Sequence, residues 1–439
     1  MRRTKWSWLA LYAALILFAA NSYVLIRQDL WWIAPAVLAL FAVHVLSARS
    51  LLSFDRLLIC RHGVELLILF LATTVLTLPG QILYALRLWP INYWDAILTL
   101  LVFVFVEATV FWHGILCIYC TSVQMGIRYR MWGIFCSLVP IVNVVILIWI
   151  LRVVIREIRV EEAKQQLNES RRDDRICDTR YPILLVHGFF FRDSKLLNYW
   201  GRIPGELERN GAVIFYGEHQ SAAAIADSAQ ELEHRVHDVL RRTGAEKVNI
   251  IAHSKGGLDC RYAMDKLGMA TYVASLTTVS TPHRGCIYAD YLLEKLSPRF
   301  QNKVANAYNA LFKRLGDHKP DFLAAARDLT ASGCQRFEEM PAPEGVFCQS
   351  VGSVLEKARR GNFPFNATYG YVKKFDGVND GLVAETAFEW GEKYTLVKTN
   401  SKRGISHTDM TDLNRENLPD FDVREFYVQL VADLKNRGL

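Results

Sequence analysis

Acidic residues are scarce in the first part of the sequence, and the second part has no net charge. Up to Val160 the chain contains 13 lysines and arginines against 6 aspartates and glutamates, whereas the remainder contains 38 of each. The arginines of the first part stand between long apolar runs and do not cluster on a soluble surface. This pattern argues against a nucleic-acid-binding protein and indicates membrane spans with charged loops, followed by an ordinary soluble domain.

The nine cysteines lack the spacing of a metal site. Cys117 and Cys120 form a C-x-x-C pair near the end of an apolar run, but no second pair of cysteines or histidines completes a site. We interpret them as small apolar residues of a span. The soluble part has five cysteines, so at least one is unpaired, although Cys334 and Cys348 could form a disulfide. Cysteine usage therefore leaves the compartment open.

Long apolar runs predict an all-α transmembrane region of about five helices, since a helix needs about 20 residues to cross a bilayer. The first run could be a cleaved signal peptide, but its length and the immediately following second run favour an uncleaved anchor. We predict a membrane region over residues 1–158, a charged helix and linker over 159–180, and a soluble domain over 181–439. The predicted spans are residues 7–26, 30–46, 64–86, 96–119 and 133–155.

The distribution of basic residues predicts the orientation of these spans. In a five-span arrangement most of the arginines and lysines fall on one side, which the positive-inside rule assigns to the cytoplasm together with the N-terminus. Five spans then place the soluble domain on the extracytoplasmic face of the cell membrane. Arg152, Arg156 and Arg159 argue for the opposite orientation, because they directly follow the last span.

Glu107 lies in the middle of the fourth predicted span, where an ionisable group is costly. It could belong to a polar or substrate path through the helices, or it could pack them by hydrogen bonding to Asn143 or His113. We favour packing, because no second acidic residue accompanies it.

After the linker, short apolar runs alternate with amphipathic helices, which predicts a mainly parallel sheet with helices on both faces. Residues 225–242 have the spacing of an amphipathic helix. The predicted strands are residues 183–186, 212–216, 248–252, 273–279, 346–351 and 394–397.

The third strand leads into the sequence Ala-His-Ser-Lys-Gly-Gly over residues 252–257 and then into a helix. This strand–turn–helix context is that of a nucleophile elbow, in which a strained turn exposes a serine hydroxyl above the sheet. Small residues are needed at Ala252 and Gly256, because neighbouring backbone passes close to them. Ser254 is therefore the predicted nucleophile.

A nucleophilic serine needs a base, and the base needs an orienting acid, which follow in the order Ser, Asp or Glu, His in this kind of fold. His407 lies in a loop after the last predicted strand, and Asp380 lies in a strand-end turn before it. Asp376 competes with Asp380 for the acid role. His283, which follows Pro282 at a strand end, is either structural or part of the substrate cleft.

Ester chemistry through a serine also requires two backbone N–H groups that stabilise the oxyanion. We expect one from Lys255, the residue after the nucleophile, and the other from Phe189, in the loop after the first strand. Neither depends on its side chain.

These residues resemble the bacterial triacylglycerol lipases of the Pseudomonas and Burkholderia type, which are α/β hydrolases. The resemblance covers most of residues 181–439 and none of the membrane region. It rests on the segment around His187-Gly188, the elbow, Thr281-Pro282-His283-Arg284-Gly285 and Asn379-Asp380-Gly381-Leu382-Val383. It implies a catalytic triad of Ser254, Asp380 and His407, with Phe189 and Lys255 forming the oxyanion hole.

In that family a calcium ion steadies the histidine loop, and Asp409 matches one of its ligands. A second ligand aspartate has no clear counterpart, and Leu413 stands where a glutamine ligand would be. We expect no required cofactor, with calcium as the alternative.

The resemblance also implies a helical lid over residues 285–331, whose apolar stripe could instead be core packing. Phe190 and Phe191 could line the acyl pocket or rest on the membrane surface, and His283 is the third candidate for substrate binding.

The sequence as a whole predicts a membrane-anchored carboxylic ester hydrolase that acts on lipid or other acyl esters. An acyltransferase that uses the same acyl-enzyme is one alternative. A membrane transporter or sensor with a non-catalytic hydrolase-fold binding module is another. The expected partners are the ester substrate and the bilayer, with no nucleic acid.

Overall fold

The computed structural model describes residues 6–46, 55–137, 139, 141–189 and 198–439. The chain forms two compact units, of which the first ends at Leu167 and the second begins at Asn168.

The first unit is helical. Within its described residues, α4 and α5 are the two helices that are long and apolar enough to cross a membrane, and residues 8–20 of α1 form a shorter apolar helix. A π-helical turn, Ala42–Leu46, follows α3. The helices are α1 (Trp6–Ala20), α2 (Ser22–Arg27), α3 (Ile33–Phe41), α4 (Arg56–Leu88), α5 (Tyr93–Thr121), α6 (Gly126–Phe135) and α7 (Val142–Ser170).

The long helices α4 and α5 pack together through small residues. A side chain at Gly63 would lie 2.8 Å from the Gly114 carbonyl oxygen, and one at Gly114 would lie 2.8 Å from Leu67. Such close approach is typical of helices that associate in lipid. Glu107 is buried between them, where it accepts a hydrogen bond of 3.1 Å from Thr73. The packing interpretation of Glu107 is therefore favoured, but the partner is Thr73 and not the expected Asn143 or His113.

The fifth predicted span differs from the structure. Residues 133–155 do not form one helix, since α6 ends at Phe135 and α7 begins at Val142. Pro140 lies between them, and proline interrupts a helix because it lacks an N–H donor and clashes with the preceding turn. The α7 helix then continues through the charged residues 156–169.

The second unit is built on six parallel strands in the order β2-β1-β3-β4-β5-β6. The predicted parallel sheet is confirmed, with strand ends that differ from the prediction by up to two residues. The strands are β1 (Ile183–Val186), β2 (Ile214–Tyr216), β3 (Val248–His253), β4 (Val273–Val279), β5 (Phe347–Ser353) and β6 (Lys393–Val397).

Helices cover both faces of this sheet, as the unbroken apolar strands require. Alternate side chains of β1 show this: Ile183 and Leu185 pack into a core with α8 and α16, whereas Leu184 and Val186 pack into a core with α9 and α10. The helices are α8 (Ile203–Arg209), α9 (Ile225–Thr243), α10 (Lys255–Lys266), α11 (Ile287–Lys295), α12 (Pro298–Arg314), α13 (Phe322–Asp328), α14 (Ala331–Cys334), α15 (Phe365–Asp376) and α16 (Val423–Asn436).

Helices α11, α12 and α13 form an insertion between β4 and β5, at the position of the predicted lid. All nine cysteines lie in the described ranges and are free thiols, so a disulfide between Cys334 and Cys348 is not formed.

Candidate active site

Ser254 occupies the turn between β3 and α10 in a strained backbone conformation. Its φ is 54° and its ψ is −127°, and its amide donates a 2.8 Å hydrogen bond to the Val279 carbonyl of the neighbouring strand. Strain of this kind costs on the order of 1–3 kcal/mol and persists only where the surroundings enforce it. The turn has the geometry of a nucleophile elbow.

The loop after β1 passes directly against this elbow. A side chain at Gly256 would overlap the His187 carbonyl oxygen, and one at Gly188 would lie 2.8 Å from the Ser254 Cβ. The close backbone approach expected at Gly256 is therefore present. It brings the predicted oxyanion loop beside the serine.

His407 is hydrogen-bonded to a fully buried carboxylate. Its Nδ1 lies 2.7 Å from Asp380 Oδ2, and its backbone amide donates to the Asp380 carbonyl at 3.0 Å. The other carboxylate oxygen of Asp380 accepts from the amides of Leu382 at 2.9 Å and Val383 at 2.8 Å. A carboxylate held in this way accepts a hydrogen bond from Nδ1–H, which leaves Nε2 of His407 as the nitrogen that can accept a proton.

The structure places the His407 loop next to the elbow without closing a serine–histidine bond. The rings of His407 and His253, the residue before the serine, are 4.6 Å apart between centroids. Among the described residues, the Ser254 hydroxyl has no hydrogen-bond partner. In hydrolases such bonds are often long until the substrate binds.

Asp376, the competitor for the acid role, makes different contacts. Its two carboxylate oxygens accept from the amides of Ile287 at 2.8 Å and Tyr288 at 3.0 Å, in the first turn of α11. It therefore stabilises the N-terminus of an insertion helix.

The Lys255 side chain is bound to Asp259 and Ser228. Its ammonium group is buried, lies 2.8 and 3.0 Å from the two oxygens of Asp259, and donates to Ser228 at 2.9 Å. As the first residue of α10, its backbone N–H has no acceptor within the helix, which suits the predicted oxyanion role.

Comparison with known proteins shows similarity to triacylglycerol lipases. No protein-family model matches the chain. A triacylglycerol lipase of Pseudarthrobacter phenanthrenivorans is 34% identical over 171 residues, which is 36% of this chain and 53% of that protein. A triacylglycerol lipase of Vibrio cholerae is 28% identical over 287 residues, covering 60% of this chain and 89% of that protein. The relatives at 34% identity are matched over about half of their length.

The second unit has the α/β-hydrolase fold, and its sequence is similar to those of triacylglycerol lipases. The predicted resemblance is thereby confirmed. Among solved structures, the mature lipase BlEst2 of Bacillus licheniformis aligns with 57% of this chain and 91% of its own, at 19% identity and a TM-score of 0.41.

Phe189 contacts the insertion helices through its ring. Its ring centroid lies 5.4 Å from that of Phe322 and 6.1 Å from that of Phe312, and Phe322 in turn stacks on Tyr308 at 4.5 Å. The insertion therefore packs aromatic side chains against Phe189, the predicted oxyanion residue. Phe190 and Phe191, the predicted acyl-pocket residues, lie outside the described residues.

His283 is a structural residue by its contacts. It is buried, its Nε2 lies 2.9 Å from Thr278 Oγ1, and its Nδ1 lies 3.0 Å from the Arg261 guanidinium. Its ring stacks on Trp390 at 5.1 Å. The structure thus favours the structural alternative over a place in the cleft.

A buried hydrogen-bond chain through Tyr199 and His253 links the three loops of the site, and sequence reasoning missed it. The Gly188 amide donates to Tyr199 Oη at 3.1 Å, Tyr199 Oη lies 2.6 Å from His253 Nδ1, and His253 Nε2 lies 3.1 Å from the His407 carbonyl. Burial lowers the pKa of His253 well below its usual value, so the ring is neutral. Because a carbonyl only accepts, Nε2 carries the hydrogen and Nδ1 accepts from Tyr199.

In the sequence, the only sign of this series of hydrogen bonds was the position of His253 in the elbow motif. Nothing in the sequence around Tyr199 indicates that its hydroxyl reaches the elbow, because the contact spans 54 residues.

Asp409 does not fit the calcium site that the resemblance implied. Arg403 Nη2 lies 2.9 Å from both of its carboxylate oxygens, and one oxygen also accepts from the amide and hydroxyl of Ser406. The described residues contain no group of three or more histidines, cysteines, aspartates or glutamates that could hold a metal ion. The Arg403 guanidinium is already paired with the Asp409 carboxylate, so calcium would have to displace the guanidinium.

Proposed function

We propose that the second unit is a serine ester hydrolase that acts on lipid or other acyl esters. The observation that carries this proposal is the strained Ser254 elbow beside a loop whose His407 is bonded to the buried Asp380 carboxylate. Backbone strain of this kind clusters at functional sites, and a histidine bonded to a buried carboxylate is the pair that a nucleophilic serine requires.

In the proposed reaction the Ser254 hydroxyl attacks the ester carbonyl while His407 Nε2 accepts its proton. Asp380 stabilises the resulting imidazolium and holds the ring in the required tautomer. The oxyanion is stabilised by the backbone N–H groups of Lys255 and Phe189. His407 then protonates the leaving alcohol, and water, activated by the same histidine, releases the acid from the Ser254 ester.

The chemistry of the insertion supports an apolar acyl group as the substrate. Phe189, Phe312 and Phe322 form an aromatic cluster beside the oxyanion loop, whereas Phe300 and Leu311 of α12 expose apolar surface. An apolar chain entering here would bury apolar area without competing for hydrogen bonds. We infer that residues 285–331 act as the lid and that the ester carries an acyl chain.

We further propose that residues 1–158 anchor the hydrolase in the cell membrane as a multi-pass region, with residues 159–180 as the connection. The apolar helices α4 and α5 support this proposal. Anchoring would hold the site where lipid esters are concentrated.

The proposed extracytoplasmic position predicts that a membrane-impermeant fluorophosphonate labels the protein in intact spheroplasts. Labelling only after lysis would place the domain inside.

The activity is tested by labelling the full-length protein in detergent with a fluorophosphonate probe. We expect labelling of the wild type, none of Ser254→Ala, and much slower labelling of His407→Ala. Ser280→Ala is the matched control, because Ser280 is another buried serine with positive φ (49°) at a strand end. Its labelling should equal that of the wild type.

The substrate class is tested with p-nitrophenyl esters of increasing chain length. Rates that rise with chain length support the acyl-binding lid. A folded wild-type protein that neither reacts with the probe nor hydrolyses any ester would refute the enzyme proposal.

A further inference from the structure

The loop that carries His407 is held by one partly buried guanidinium. We define the histidine loop as residues 399–409. Arg403, within this loop, has a side chain that is only 13% exposed, and its two terminal nitrogens contact oxygens from three separate segments.

One terminal nitrogen of Arg403 binds backbone and the other binds carboxylates. Nη1 donates to the carbonyls of Gly404 at 2.6 Å and Arg360 at 3.2 Å. Nη2 lies 2.9 Å from both Asp409 oxygens and 3.0 Å from Glu416 Oε2. One cation thus contacts three segments: the segment after β5, the histidine loop and the segment around Glu416.

This cation acts on the residue next to the predicted base. Asp409, neutralised by Arg403, accepts from the Ser406 amide at 2.7 Å and from its hydroxyl at 2.6 Å. Ser406 directly precedes His407, whose own amide donates to the Asp380 carbonyl. The backbone on both sides of His407 is therefore fixed, on one side through Arg403 and Asp409.

The oxygens around Arg403 are of the type that also binds calcium, namely carboxylates and backbone carbonyls. A guanidinium presents several N–H donors in one plane and can therefore bind several oxygens at once. It is always charged, and unlike a metal ion it cannot dissociate from the protein. We propose that Arg403 replaces calcium as the cation that positions His407, and that the enzyme works without calcium. This inference rests on the proposed function.

The test compares Arg403→Ala, Arg403→Lys and the wild type by fluorophosphonate labelling and by kcat and KM on a soluble ester. Lys402→Ala is the matched control, because Lys402 is the adjacent, exposed cation of the same loop. We expect Arg403→Ala to label roughly 10- to 100-fold more slowly, because small displacements of a catalytic group have effects of this size. We expect kcat to fall with little change in KM, and Lys402→Ala to match the wild type.

Arg403→Lys keeps the charge but has a single nitrogen, which cannot bridge the carbonyls and both carboxylates, so we expect an intermediate rate. In parallel, EDTA and added calcium should leave the labelling rate and thermal midpoint of the wild type unchanged.

Two results would overturn the inference while leaving the proposed function intact. One is a wild type that loses labelling in EDTA and regains it with calcium. The other is a folded Arg403→Ala or Arg403→Lys variant with wild-type kcat. If Arg403→Ala fails to fold, the lysine variant and the EDTA measurement decide. Absence of labelling in the wild type itself would instead refute the proposed function.

Discussion

Tyr199 Oη lies 2.6 Å from His253 Nδ1, and this pair connects the loop after β1, the elbow and the histidine loop. Each of these loops carries one part of the predicted machinery: the oxyanion donor, the nucleophile and the base. Catalytic groups must be held within a fraction of an ångström of their productive positions. A buried hydrogen-bond chain achieves this because breaking any link leaves a polar group without a partner.

Tyr199→Phe should therefore lower stability and slow labelling of Ser254. The substitution leaves His253 Nδ1 and the Gly188 amide without their bonds, at a cost of about 1–3 kcal/mol. Thermal unfolding in detergent measures this loss. Tyr394→Phe is the control, because the Tyr394 hydroxyl is buried with no partner among the described residues. Equal stability of the two variants would contradict the linking role.

Asp380→Asn should abolish most of the activity, whereas Asp376→Asn should not. An amide at position 380 can donate to His407 Nδ1 and so favours the wrong tautomer, with a loss of about 10⁴-fold in kcat by analogy with serine proteases. Asp376 accepts hydrogen bonds from the first two amides of α11. Asp376→Asn should therefore loosen the insertion but keep kcat within a few-fold of the wild type. The kcat values on a soluble ester decide. A larger loss of kcat in Asp376→Asn than in Asp380→Asn would make Asp376 the acid.

Gly256→Ala should disrupt the elbow, because its Cβ would overlap the His187 carbonyl oxygen, which is backbone and cannot move aside. Overpacking of this kind costs about 1–3 kcal/mol or more. Gly370→Ala in α15 is the matched control, since nothing lies within 4 Å of its added Cβ. There we expect no loss, or a gain of about 0.4–1 kcal/mol from the reduced entropy of the unfolded chain. Thermal unfolding of both variants, and their labelling, provide the check.

Stability should fall as the pH drops below about 6.5, because buried histidines must remain neutral in the folded state. Burial lowers the pKa of His187 from 6.5 to about 4, and it lowers the pKa of His253 and His283 well below 6.5. At a pH between the lowered pKa of the folded state and the ordinary pKa of the unfolded state, these histidines bind protons in the unfolded chain but not in the folded chain. Acid therefore favours unfolding, by up to about 1.4 kcal/mol per pH unit for each histidine.

Thermal midpoints between pH 8 and pH 4.5 test this. We expect a plateau above pH 7 and a decline below it, with a shallower decline for His187→Gln. His234→Gln, which alters an 84% exposed side chain, should keep the wild-type slope. A midpoint that rises as the pH falls from 6.5 would contradict the prediction.

The sequence was sufficient where the signal is local. Unbroken apolar runs predicted the strands, because strands of a parallel sheet are buried on both faces, and the elbow was visible since a serine between a strand and a helix needs small neighbours. The predicted count of five membrane helices is not confirmed. Only α4 and α5 have the length and apolarity for a span in the described residues, and the fifth apolar run is divided into α6 and α7.

Contacts between distant segments could only come from the tertiary structure. Asp376 and Asp380 are four residues apart with similar chemistry, yet one caps α11 and the other binds His407, because the turn between them directs the two carboxylates to different neighbours. Arg403 likewise appears in the sequence as an ordinary charged loop residue, and its contact with Asp409 is seen only in the structure. Local pattern by itself determined the elbow and most of the sheet, because those depend on neighbouring residues. Which side chains meet around Ser254 and His407 was decided only by folding, because hydrogen bonds and ion pairs depend on distances that sequence separation does not encode.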